Sequence, residues 1–165
     1  MEVVEGRADV DDVGEFVAEL GRIGEHHGVT VQVFDARYVV DREHLERAVE
    51  LAERARGRGE TIADDFGVEI LLFAAGRRQI NRALEMGVSE GTCPVVAVVV
   101  GENEGDERAA AADLGERLTD EPTLGAYDTE RVRAFFDVTD TELDATDGTL
   151  ADAVRERVAL LPVEK

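Results

Sequence analysis

The chain has 165 residues, 44% hydrophobic but only 5% aromatic, with no tryptophan. That length suits one domain, residues 1–165, able to bury about 70% of its unfolded surface around a core of Val, Leu, Ile and Ala. Asp and Glu number 38 against 18 Lys and Arg, a formal net charge of -20, which denies the general basic surface of a nucleic-acid binder. Only Lys165 is a lysine; the other cations are arginines. The acid is spread over segments with good apolar periodicity, so it does not read as a disordered tail. A cytoplasm of molar salt explains it better, because there the Debye length falls to roughly 3 Å and like charges are screened. Mimicry of nucleic acid is the competing explanation. Cys93 is alone, which excludes an intramolecular disulfide and suits a small buried filler in a reducing interior. Met1 opens no basic-then-apolar leader, and no apolar run approaches the ~20 residues of a membrane span. A soluble cytoplasmic protein with no membrane partner is expected.

In chain order, Met1 to Glu5 is short and apolar enough for an edge strand. Asp9 to Glu25 has helical spacing, with Val10, Val13, Phe16, Val17, Leu20 and Ile23 on one face, and Gly28 stops it. The His26–His27 pair lacks a third ligand at metal spacing, so exposed helix-end residues are expected. Val29 to Phe34 alternates, with Val29, Val31 and Val33 on one side, as a half-buried strand does. Asp41 caps a helix from Arg42 to about Arg56, whose inward face is Leu45, Ala48, Val49 and Ala52. Its outward face of Arg42, Glu43, Glu46, Arg47, Glu50, Glu53 and Arg54 predicts solvated ion pairs. His44, in the first turn, has no visible catalytic partner and reads as a structural hydrogen bond.

Thr61 to Val88 is the most apolar long stretch. Thr61 with Asp64 has capping-box spacing, and Ile62, Phe66, Ile70 and Phe73 recur behind it at helical intervals. Gly76 suits the left-handed residue that ends a helix. A second helix, Arg77 to Met86, then carries Ile80, Ala83 and Leu84 on one face. The rival reading makes Val68 to Ala74 a buried strand, because Gly67 costs a helix interior roughly 1 kcal/mol against alanine. Beyond it, GTCP leads into Val95 to Val100, apolar on both faces and suited to a central strand. Gly101 to Asp106 lacks the Lys and Ser or Thr of a phosphate loop. Glu107 to Leu118 and Glu130 to Phe136 read as helices, the second capped by Asp128 or Thr129 with Val132, Phe135 and Phe136 inward. VTDTELDATDG, from Val138, is an acidic connector with some helical turn, and it lacks a calcium loop's ligand order. Thr149 with Asp152 opens a last helix, striped by Leu150, Ala153, Val154, Val158 and Leu161. Three strands and about seven helices predict one compact α+β domain, a small mixed or antiparallel sheet covered by helices.

Three function classes compete. An enzyme needs converging groups with matched pKa values, and these carboxylates sit on solvated faces without a Ser–His or Cys–His arrangement. No catalytic residue, metal, cofactor or small-molecule substrate is therefore expected, the enzyme alternative being a small one that uses solvent-facing carboxylates. A binding subunit needs only an apolar or arginine-bearing face left over from the core, which the central hairpin supplies. Arg77, Arg78 and Arg82 form the one local cationic cluster, which keeps nucleic-acid binding open.

The string from Glu69, E-I-L-L-F-A-A-G-R-R-Q-I-N-R-A-L, resembles the hallmark of the kinase-binding regulatory subunits of the KEOPS (EKC) complex. The matches are Glu69, Leu71, Leu72, Gly76, Arg78, Gln79, Ile80 and Ala83; Phe73 stands where tyrosine is common and Ala75 where serine is. The His44–Leu45 helix start and the ending R-V-A-L-L-P-V-E-K from Arg157 agree, so the resemblance covers nearly the whole chain. It implies a non-catalytic subunit at one end of a linear complex. Such a subunit binds the N-terminal lobe of the small atypical kinase/ATPase, and through it the subunit that installs N6-threonylcarbamoyl on the adenosine next to the tRNA anticodon. It also implies a hand in holding the 3′ CCA end of tRNA. On that basis Ile80, Ala83 and Leu84 are candidates for kinase contact, with full burial of all three as the alternative. Arg77, Arg78, Gln79 and Arg82 are candidates for tRNA, ion pairing of the arginines with Glu69 and Glu85 being the alternative. An acidic adaptor outside KEOPS is the runner-up.

If the acidic surface is an adaptation to molar salt, removing KCl weakens folding. The thermal midpoint is expected to fall between about 3 M KCl and ~0.1 M, where the Debye length is near 10 Å. An unchanged or higher midpoint at low salt sinks the idea.

Overall fold

A computed structural model describes residues 1–145 and 148–162. In chain order the elements are β1 (Glu2–Val10), α1 (Val13–His27), β2 (Thr30–Asp35), α2 (Arg42–Gly57), α3 (Phe66–Ala75), α4 (Ile80–Ala83), β3 (Gly91–Val100), α5 (Glu104–Gly115), β4 (Thr119–Asp120), α6 (Thr129–Phe135), α7 (Asp140–Ala145) and α8 (Leu150–Leu160), with 3-10 turns at Ala36–Tyr38 and Leu84–Met86. The class is α+β, as the sequence predicts. Among the described residues there are four strands rather than three, in one antiparallel sheet of order β2-β3-β1-β4. The chain falls into two compact units, Met1–Ala36 with Gly87–Leu124 and Arg37–Met86 with Gly125–Lys165.

The first unit holds the sheet with α1 and α5. β1 is not the short edge strand expected at Met1 to Glu5: it runs to Val10 and lies between β3 and β4. The alternation continues through Gly6, Ala8 and Val10, which are buried, while Arg7 and Asp9 are exposed. Asp9 and Val10 are thereby taken from the predicted helix. Asp12 caps α1 instead, accepting from the Glu15 N–H at 2.9 Å. The later start narrows the apolar stripe to Val13, Phe16, Leu20 and Ile23, and leaves Val17 exposed. Those residues pack with Ala110 and Leu114 on the sheet face formed by Ala8, Val10, Val33, Cys93, Val95, Ala97 and Val99. β3 is internal, as expected, but begins at Gly91 and takes in Cys93, which is buried. α5 starts three residues before the predicted Glu107, because the Asn103 side chain accepts from the Asp106 N–H at 2.8 Å. Half of the supposed acidic loop is thus its first turn, where the helix dipole favours carboxylates. β4, two residues long, is too short to leave a periodic signal in the sequence.

The second unit is helical. Asp41 caps α2 through the His44 N–H at 2.9 Å, and Leu45, Ala48, Val49 and Ala52 face inward as predicted. The outward face carries the expected ion pairs, Arg42–Glu46 and Arg47 and Arg54 on Glu50. α2 packs on α3 and α8. α3 settles the helix-or-strand alternative for Val68 to Ala74 in favour of helix, and every residue from Glu69 to Ala75 is buried. A segment apolar on all sides carries no amphipathic period, which is why the sequence left both readings open.

α3 does not begin at Thr61. Asp65 is its N-cap, accepting from the Val68 N–H at 2.9 Å, which puts Gly67 in the first turn rather than the interior. The would-be capping segment has another partner. The Glu69 carboxylate, fully buried, accepts from the N–H groups of Ile62 (2.9 and 3.1 Å) and Ala63 (2.8 Å). Later, Asp128 caps α6, and Thr149 with Asp152 forms the predicted capping box of α8. In the acidic connector, Asp140–Ala145 is helical, while Thr146 and Asp147 lie outside the described residues, as do the last three of the sequence ending.

Replacing Glu69 by alanine strands two N–H groups that a buried charged acceptor now holds. At roughly 1.5–3 kcal/mol for a hydrogen bond to a charged group, Glu69→Ala is expected to lower unfolding stability by about 3 kcal/mol, read from urea denaturation. A loss under about 0.5 kcal/mol would show that the 61–63 segment finds other partners.

Candidate binding surface

The predicted second helix of the hairpin is much shorter than Arg77 to Met86. Gly76 takes the left-handed conformation (φ 61°, ψ 31°). Its N–H donates to Phe73 O, and the Arg77 N–H donates to Leu72 O, both at 3.1 Å. This pair of bonds is a Schellman terminator. It commits the Arg77 backbone to ending α3, so a new helix cannot start there. Gln79 becomes the N-cap, and only the single turn of α4 forms before the chain tightens into the 3-10 turn Leu84–Met86. Gly76 also lies against α8, where a Cβ would make ordinary contact with Arg157 O at 3.4 Å, so its positive φ rather than want of space calls for glycine.

The short turn is held from several sides. Ala83 and Met86 are fully buried beneath it. The Arg77 guanidinium donates to Phe135 O, lies 3.7 Å from the Asp137 carboxylate and sits 5.2 Å from the centre of the Phe135 ring. Arg157 completes the wrapping of the α6 terminus. It donates to Phe136 O at 3.1 Å and Asp137 O at 3.2 Å, and grips both Glu142 oxygens at 2.7 Å. Asp137 itself has φ 55°, the left-handed region, with which the chain leaves α6.

His44 anchors the last turn of α3. Its ring is fully buried, with Nε2 2.7 Å from Ala74 O and Nδ1 3.4 Å from the Val40 backbone nitrogen. A carbonyl only accepts, so Nε2 carries the proton and Nδ1 accepts from Val40. Burial pushes the imidazole pKa below its ordinary value, against the opposing pull of the Ala74 carbonyl. The sequence reading of a structural hydrogen bond is thus correct. Its partner, 30 residues away, left no local signal.

The predicted site residues divide into two groups. Arg78, Gln79, Ile80, Arg82 and Leu84 are exposed, Ile80 by 47% and Leu84 by 56%. The side chains of Arg78, Gln79 and Arg82 make no hydrogen bond or ion pair among the described residues. Ala83 is buried, so it supports Ile80 and Leu84 from below rather than standing beside them. Arg77 is the arginine with a structural task, but on Phe135 and Asp137 rather than on the expected Glu69 or Glu85. Elsewhere, His27 is not simply exposed: its Nε2 lies 3.1 Å from Asp113. Among the described residues no group of three His, Cys, Asp or Glu is placed to hold a metal ion, and no helix is long and apolar enough to cross a membrane.

The chain matches over residues 8–161 the family model described as kinase binding protein CGI-121. It is also 26% identical, over 140 residues, to the "Regulatory protein Cgi121" of Methanocaldococcus jannaschii, covering 84% of this chain and 87% of that protein. A terminated helix that presents two unsatisfied arginines and two exposed aliphatic side chains suits a binding role, and with nearly its whole length matched the chain belongs to the CGI-121 family of kinase binding proteins.

Proposed function

We propose that the protein is a non-catalytic KEOPS subunit that binds and activates the small atypical kinase/ATPase of that complex, and helps recruit the 3′ CCA end of tRNA for N6-threonylcarbamoyladenosine formation. The other KEOPS subunits are reached through the kinase, in the cytoplasm of an archaeon that lives at high salt. The observation that carries this reading is the exposure of Ile80 and Leu84 on one pinned turn of a kinase-binding family member. The other exposed large hydrophobics among the described residues, Val17 and Leu160, stand on separate helices.

Helical geometry supports two partners on so small an element. At about 100° per residue, Ile80 and Leu84 point within ~40° of each other, and Arg82 about 160° from both. A kinase seated on the aliphatic pair leaves Arg82, and Arg78 in the lead-in, open to RNA. In molar salt the counterion-release contribution is weak, since affinity for single strands falls by roughly 0.7 log units per phosphate for each decade of salt. Recognition then rests on stacking and hydrogen bonds, which the planar, forked guanidinium supplies and an ammonium does not. Arg77 serves this surface by holding the turn in place.

Ile80→Glu is expected to weaken binding to the cognate KEOPS kinase in high-salt buffer by tenfold to a hundredfold, about 1.4–2.8 kcal/mol. The thermal midpoint should stay within about 3 °C, as for a surface change. Unchanged affinity, or collapse of the fold, removes Ile80 from the kinase interface.

For RNA, the comparison is between intact tRNA and tRNA lacking its CCA, titrated against the assembled complex. Replacing Arg78 and Arg82 together by alanine should weaken the first at least about fivefold, roughly 1 kcal/mol or one lost base stack, and leave the second unchanged. Equal loss on both tRNAs, or none, takes these arginines out of the CCA site.

A further inference from the structure

The His44 side chain ties α2 to the last turn of α3, just ahead of the binding turn. Its imidazole joins three segments: Val40 ahead of α2, Ala74 in the last turn of α3, and the Phe136 ring at the end of α6, whose centroid lies 5.8 Å away edge-on. Ala74 is two residues from the Gly76 terminator and six from Ile80. We propose that His44 is a positioning residue for the turn from Gly76 to Met86, and that its protonation unfastens that turn while the rest of the chain stays folded. The inference rests on the reading of this turn as the kinase-binding surface.

The chemistry follows from the two ring nitrogens having opposite roles. Neutral His44 donates from Nε2 and accepts at Nδ1. A proton added to Nδ1 would face the Val40 N–H, donor against donor, in a site with no solvent to absorb the mismatch. The charged groups around the ring do not rescue it. From the start of α2, Asp41 favours the cation, but its oxygens are engaged by the His44 N–H and by Arg155. From α8, Arg155 opposes the cation, and is itself shared among Asp41, Glu43 and Asp152. From α3, Glu69 is occupied by the Ile62 and Ala63 N–H groups. α6 contributes only an uncharged ring.

The direction in pH is then fixed. The pinned turn keeps His44 neutral, and its folded pKa lies below the ordinary 6.5. An opened turn lets the ring reach water and titrate near 6.5. Because the open form binds the extra proton, the clamp is at full strength above pH 6.5 and weakens as pH falls below it. A single group shifts the opening equilibrium by up to about tenfold per pH unit in that range.

The test is amide hydrogen exchange on the whole protein at pH 7.5 and 5.5, corrected for intrinsic rates, with parallel measurement of kinase affinity. In the wild type, residues 76–86 should lose about tenfold in protection while neither α2 nor β3 does. His44→Gln keeps a donor for Ala74 O but cannot take a proton, and should show no such pH-dependent loss. Equal changes in the turn and in α2 or β3, or none in the turn, overturn the proposal. If His44→Gln does not fold, the wild-type profile decides alone. Kinase affinity follows the closed fraction of the turn, so tenfold more opening of a turn that stays mostly closed leaves it nearly level. The kinase reading is tested apart, by Ile80→Glu at pH 7.5: a turn that opens with pH while Ile80→Glu binds the kinase as the wild type does keeps the clamp and removes the turn from the kinase surface.

Discussion

A helix that is apolar on every face has no solvent side, and α3 imposes that constraint on the second unit. It is surrounded by α2 and α8, and both its ends must be closed with groups that can themselves be buried. At the start this falls to Asp65, and to Glu69 holding the segment ahead of it. At the end it falls to Gly76, which turns the chain sharply enough for two amide N–H groups to satisfy the carbonyls of Leu72 and Phe73. The sharpness of that turn has a structural result: the chain emerges as a single helical turn with its aliphatic and cationic residues pushed into solvent. The surface is a by-product of how a core helix is stopped.

The same arrangement explains how so short an element can present anything. One turn of helix has too few internal hydrogen bonds to hold itself in water. Here its shape comes from neighbours instead: Ala83 and Met86 beneath it, Gly76 against α8, Arg77 on the end of α6 and His44 on Ala74. A turn already held in shape would not need to be ordered on meeting a partner, one of the costs that association otherwise carries.

Much of this was legible in the residues, and the failures have physical reasons. Caps were readable where a short polar side chain stands before a periodic run, outright at Asp41 and Thr149 and as one of two neighbours at Asp128. At Thr61 the spacing was right, but Asp65 competed, and Glu69 drew the nearby N–H groups to itself. The left-handed Gly76 was visible, while its consequence for the next helix was not, because the second terminating bond consumes the backbone of Arg77. Long-range partners escaped entirely: nothing local in the sequence joins His44 to Ala74 or Arg77 to Phe135. At the site, exposure of Ile80 and Leu84 and burial of Ala83 separate residues that share one apolar stripe on paper. A turn buried on only one side draws that line, and sequence periodicity does not.

The two guanidinium groups folded around the α6 terminus, Arg77 and Arg157, bear on how this sequence can drift. An exposed pair such as Arg42–Glu46 asks only for a positive charge, and a lysine there would serve. Arg157 instead meets two carbonyls and both oxygens of Glu142 from one planar head, a set of directions that a tetrahedral ammonium cannot span at once. Exchange of arginine for lysine is therefore tolerable at some positions and structurally disruptive at others. At this helix end the shape of the terminus calls for arginine, whatever the solvent asks of the exposed positions.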